Sequence, residues 1–119
     1  VWRATGVQPV TFRPPHGLLT RHQERLIPHN RNLAIAYWSH DPKDWRVPGV
    51  ALVARRMIEA AQPGAVILAH DTLADTMRAI PAALEGILAK GLEPVTLSEL
   101  LGWPRWGGST GAPSRASGA

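Results

Sequence analysis

The chain has 119 residues and a mass of 12.9 kDa, about one ordinary domain, and no cysteines, so a disulfide framework, a thiolate metal site and a cysteine nucleophile are all excluded. With 45% hydrophobic and 18% charged residues and a mean hydropathy of −0.10, it is expected to fold. The net charge of +4 and pI near 10.7 come from basic residues scattered singly, Arg55-Arg56 being the densest pair, which favours a solvated Arg-rich surface over a nucleic-acid partner.

No apolar run approaches the roughly 20 residues a membrane span needs. Residues 1–6 carry neither a starting Met nor the ordered regions of a signal peptide, so the chain is expected to be a piece of a longer protein. Residues 1–8 read as a helix end stopped at Gly6. Val10-Thr11-Phe12 reads as a buried strand running into Pro14-Pro15, and Leu33 to Trp38 as a central strand. Val50, Val53, Ala54, Met57, Ile58 and Ala61 recur at helical spacing before Pro63-Gly64.

Ala65 to Ala69 is continuously apolar, as a parallel strand covered on both faces would be. Ile80, Leu84, Ile87 and Leu88 mark a second helix, with Pro81 expected in its first turn and Gly91 closing it. Pro94 to Leu97 reads as a last short strand, with Ser98 capping the turn Glu99-Leu100-Leu101. The composition then shifts to Gly, Pro, Ser, Arg and Trp, so residues 103–119 are expected to be an irregular, flexible tail. Strands alternating with helices at this spacing predict an α/β fold with parallel strands, short of the edges and cover that a whole sheet requires.

Three segments stand at the carboxyl ends of predicted strands, where α/β folds place their chemistry. They are Arg13-Pro14-Pro15-His16-Gly17, Asp41-Pro42-Lys43-Asp44-Trp45 and Leu68-Ala69-His70. An Asp beside a His can hold the imidazole in one tautomer and make it a general acid near neutral pH, and an Arg can orient a carboxylate. Each has a plainer alternative. Arg13 could pair with a surface carboxylate, Asp41 could cap its own loop, and His70 could be structural. His22, His29 and His40 share no face at ligand spacing, so no metal ligand is expected within this chain.

In order and spacing these segments resemble the third, fourth and fifth motifs of the polysaccharide deacetylases, the NodB-homology group of carbohydrate esterase family four. Phe12, Pro63-Gly64 and the stretch Lys90 to Leu97 are similar to the family's flanks. The resemblance implies that residues 1–102 are the C-terminal half of a distorted (β/α) barrel. The family's earlier Asp-Asp and His-x-x-x-His motifs, which supply the catalytic base and the metal ligands, are absent. It further implies a hydrolase that removes acetyl groups from N-acetylglucosamine-containing polysaccharide of peptidoglycan or chitin type, breaking an acetamide bond.

On that resemblance Arg13 orients the missing catalytic Asp, the His16 backbone N–H helps hold the oxyanion, Asp44 sets the protonation of His70, and His70 protonates the leaving amine. Trp45 and Leu68 wall the acetyl pocket. A divalent metal, zinc by the same resemblance, would be bound by residues absent from this chain, which would leave the chain inactive alone and partnered by the missing N-terminal half. His16 stands where the family usually has an aromatic. A cell-envelope location and a bacterial source are implied likewise. The rival expectations are a non-catalytic carbohydrate-binding remnant that keeps Trp45, and a basic nucleic-acid-binding module.

Overall fold

The computed structural model describes residues 2–31 and 33–103. Two compact units share the chain: one runs to Tyr37 and resumes at Thr96, and the other spans Trp38–Val95. Most of the expected tail, from residue 104 on, lies outside the described residues.

In the first unit a short helix α1 (Trp2–Thr5) stops at Gly6, whose φ of +68° is a conformation glycine adopts without penalty. Strand β1 (Thr11–Phe12) pairs in parallel with β2 (Ala34–Ile35), Thr11 opposite Ala34 and Phe12 opposite Ile35. Between them lies helix α2 (Arg21–Arg31), which the sequence reading did not anticipate. Its apolar residues form no stripe, and Pro28 stands inside it. The readable signal was a capping box. Thr20 Oγ1 accepts the Gln23 N–H at 3.2 Å, and Gln23 Oε1 accepts the Thr20 N–H at 2.9 Å. Tyr37 Oη donates to Glu24 Oε1 at 2.8 Å and ties α2 to the segment after β2.

Helix α5 (Leu97–Leu101) belongs to the same unit and corrects the expected strand at 94–97. Thr96, not Ser98, is its cap: Thr96 Oγ1 accepts the Glu99 N–H at 3.3 Å, while Glu99 Oε2 accepts the Thr96 N–H at 2.8 Å. That reciprocal pair commits Thr96 to a helix start, and Pro94 has no N–H to give to a ladder.

The second unit is built on α3 (Val50–Ala60) and α4 (Ala74–Ala89). Val53, Ala54 and Met57 of α3 meet Ala79 and Ala83 of α4 in the core, with Ile67, Ala69 and Ile80 packed against them. The buried stripe of α3 is the one its periodicity predicts. That of α4 is not, because Leu84 and Leu88 are exposed while Thr76, Ala79 and Ala83 are buried. The helix also starts seven residues before Pro81, which therefore lies in its interior and not in its first turn. Small residues allow α3 and α4 to approach closely: a Cβ on Gly86 would collide with the Ile58 side chain. Lys90 Nζ donates to the carbonyls of Ile58 and Ala61 at the end of α3.

The expected strand at 65–69 is reduced to a single parallel bridge, His40 opposite Ile67. Leu68 N donates to the His40 carbonyl at 3.0 Å, and Ser39 Oγ takes the Val66 N–H at 2.9 Å in place of a backbone carbonyl. A strand extends only as far as it is paired, and among the described residues this one has a partner segment on one edge alone.

Candidate active site

Asp44 opens a single 3-10 turn, Asp44–Arg46, whose flanking residues Lys43 and Val47 both have left-handed backbone, φ 55° and 50°. The loop before it is tied to itself. Asp41 Oδ1 accepts the Lys43 N–H at 2.8 Å, as an Asx turn does, and Asp41 Oδ2 accepts Trp45 Nε1–H at 3.4 Å. Arg56 Nη1 of α3 donates to the Pro42 carbonyl at 3.1 Å. These contacts turn the Asp44 side chain into the interior, where the residue is 1% exposed.

Three donors converge on the Asp44 carboxylate. His70 Nδ1 lies 2.8 Å from Oδ1, the His70 backbone N–H donates to Oδ2 at 2.8 Å, and Thr76 Oγ1 donates to Oδ2 at 2.9 Å. Burial alone would raise the carboxyl's pKa, but the bonds from the His70 ring, the His70 backbone and Thr76 together outweigh it and hold the group below the ordinary aspartate value. An ionised carboxylate can only accept, so the ring nitrogen facing it carries the proton. Nε2 is then the nitrogen left to exchange a proton, on a ring that is 34% exposed.

Trp45 follows Asp44 in the same turn and is half-exposed, with the Arg46 guanidinium 4.8 Å from its ring centroid. Leu68, two residues before His70, is buried at 7% exposure. Arg13 and His16 belong to the first unit. Arg13 is exposed just after β1, and its guanidinium has no hydrogen-bond or ion-pair partner among the described residues. His16 sits within the 3-10 turn Pro15–Gly17 at φ 57°, ψ 9°, a left-handed conformation that costs a side-chain-bearing residue about 1–2 kcal/mol.

Thr76 was not anticipated. Its six-residue distance from His70 is no recognised spacing, and a threonine among helix formers carries no signal until its partner is known. Among the described residues no group of three or more His, Asp or Glu could hold a metal ion. The residues present therefore do not fit the divalent metal that the resemblance implies, and the chemistry assigned to them does not pass through one.

No family model matches the chain. It is 32% identical over 102 residues to the peptidoglycan-N-acetylglucosamine deacetylase PgdA of Listeria monocytogenes, covering 86% of this chain and 21% of that protein. It is 38% identical over 72 residues to a chitooligosaccharide deacetylase of Rhizobium leguminosarum bv. trifolii, covering 60% of this chain and 31% of that one. In structure it is similar to a family 4 carbohydrate esterase of Streptomyces lividans, solved with acetate, with a TM-score of 0.66 at 31% identity, covering 76% of this chain and 46% of that chain. The chain thus spans less than half the length of each. Likeness in sequence to named deacetylases and likeness in fold to a solved esterase of the group agree: over most of its length the chain is similar to part of the polysaccharide deacetylases of carbohydrate esterase family four.

Proposed function

We propose that this chain forms part of a metal-dependent N-deacetylase acting on N-acetylglucosamine-containing polysaccharide of peptidoglycan or chitin type. The observation that carries the reading is the 2.8 Å pairing of a fully buried aspartate with His70 Nδ1, which leaves Nε2 to serve as an acid. Hydrolysis joins a water oxygen to the acetyl carbon, with the water's proton passing to the carboxylate contributed from outside this chain. As the acetamide C–N bond breaks, the ring, protonated at both nitrogens, gives its Nε2 proton to the leaving amine and returns to the neutral form with Nδ1–H still on Asp44. Such a proton transfer contributes about 10²–10⁴ in rate.

Arg13, exposed and unpaired among the described residues, orients a carboxylate contributed from outside this chain. The His16 N–H donates to the oxyanion, a contact worth about 10²–10³. Trp45 and Leu68 bound the space for the acetyl methyl group. Residues 1–102 form the C-terminal part of a (β/α) barrel, a reading supported by the parallel pairings of β1 with β2 and of His40 with Ile67. The metal, zinc by family resemblance, is held by residues outside this chain. A peptidoglycan substrate puts the site of action in the cell envelope.

The test is a chimera in which this chain replaces the matching segment of the Streptomyces lividans esterase. The folded chimera is expected to release acetate from N-acetylated chitooligosaccharide, and His70→Ala to lower that rate by about 10²–10⁴. A folded chimera that binds the oligosaccharide without releasing acetate supports the binding-only alternative, which the half-exposed Trp45 would serve.

A further inference from the structure

We propose that Thr76 is the positioning residue of the Asp44–His70 pair, the fixed point that holds the carboxylate in the rotation from which it orients the imidazole. The functional part of this proposal rests on the deacetylase reading of His70. Its geometric basis does not. Thr76 stands in the first turn of α4, is 1% exposed, and donates its hydroxyl hydrogen to Asp44 Oδ2 at 2.9 Å.

A buried threonine inside a helix ordinarily returns its hydroxyl to a carbonyl one turn back. Here the hydroxyl's partner is instead an acidic side chain 32 residues away in sequence. The two donors from His70 belong to a residue at a loop, followed by the turn that closes with the Leu73 N–H on the His70 carbonyl at 3.3 Å. Thr76, by contrast, shares its buried face with Ala79 and Ala83, which are packed against α3. Of the three donors it is the one carried on a helix.

A carboxylate bonded through one oxygen to a ring can rotate with that ring. The second oxygen is held twice, by the His70 backbone N–H and by Thr76, and Thr76 is the holder that does not itself belong to His70. Thr76 thereby keeps Oδ1 aimed at Nδ1–H. Because Oδ2 accepts two hydrogen bonds, Thr76 also favours the ionised form of Asp44 over the protonated one.

Thr76→Val keeps the shape and removes the hydroxyl, while Thr76→Ser keeps the hydroxyl and removes a methyl. Nuclear magnetic resonance on the whole chain reads the Asp44 titration and the exchange of the His70 Nδ1 proton with water. The Val variant is expected to titrate Asp44 at higher pH and to exchange that proton about tenfold faster, the loss expected of one hydrogen bond. Ser is expected to restore both. A purely packing role predicts the opposite order, with Val silent and Ser impaired, and that result overturns the proposal.

Should Val prevent folding, Ser and Ala provide the comparison, and identical behaviour of the two overturns it equally. These readouts need no substrate, so they stand or fall apart from the deacetylase reading. In an active chimera, Thr76→Val is expected to lower kcat with KM nearly unchanged, and Ser to recover it. An unchanged kcat beside altered resonances overturns the functional part alone.

Discussion

Asp44 is a charged side chain in the interior, and a buried carboxylate persists only where donors replace the water it has lost. Three do so, and together they set its folded pKa below its ordinary value. A group depressed in the folded state contributes stability above its unfolded value, and that contribution is lost as pH falls through the folded value. Stability is therefore expected to decline on acidification below about pH 4, the unfolded aspartate range. Asp44→Asn should flatten this decline while lowering stability at neutral pH by about 1.5–3 kcal/mol, since the amide turns a donor toward donors. Urea denaturation at a series of pH values measures both effects. Val47 offers a second test at this scale. A β-branched residue at φ 50° is strained, and at 61% exposure it gains little from burial. Val47→Gly is expected to raise the urea midpoint by the equivalent of about 1 kcal/mol, the strain relieved less the glycine's added freedom when unfolded.

At the scale of elements, local rules and packing divided the outcome. Helix α3 was legible because its buried residues are strongly apolar and recur at the helical period. Helix α4 was legible only in its second half, since its core face uses Thr76, Ala79 and Ala83, which a search for large apolar residues passes over. The same small residues permit the close approach at Gly86, so Gly86→Val is expected to destabilise the chain by about 1–3 kcal/mol through collision with Ile58. Thermal unfolding would read this as a clear fall in Tm. The capping boxes of α2 and α5 were written in the sequence as Thr20-x-x-Gln23 and Thr96-x-x-Glu99. Both starts are local, and Thr96→Ala is expected to cost about 1 kcal/mol in the stability of α5, seen as faster amide exchange over Leu97–Leu101.

Across the whole molecule, burial is unequal. The core cluster lies between α3 and α4, whereas α2 is exposed along most of its described side chains. Local opening should follow that difference, so hydrogen exchange is expected to be slowest in α3 and α4 and fast in α2. The short strands have a related origin. Pairing depends on a neighbour, and apolar character from Ala65 to Ala69 states only that a neighbour is wanted. By itself the sequence determined the order of the three motif segments, their position after extended runs, the apolar face of α3 and the two capping boxes, because each is carried by residues within a few positions of one another. The family resemblance pointed to Asp44 as the partner of His70, and Asp41 could be read as a cap of its own loop, but the contact across 26 residues and the part of Thr76 in it exist only in the tertiary structure. Neighbouring aspartates are equivalent in local propensity. Which one enters the interior depends on the left-handed turns at Lys43 and Val47 and on the helix packed against them, and those exist only once distant segments have met.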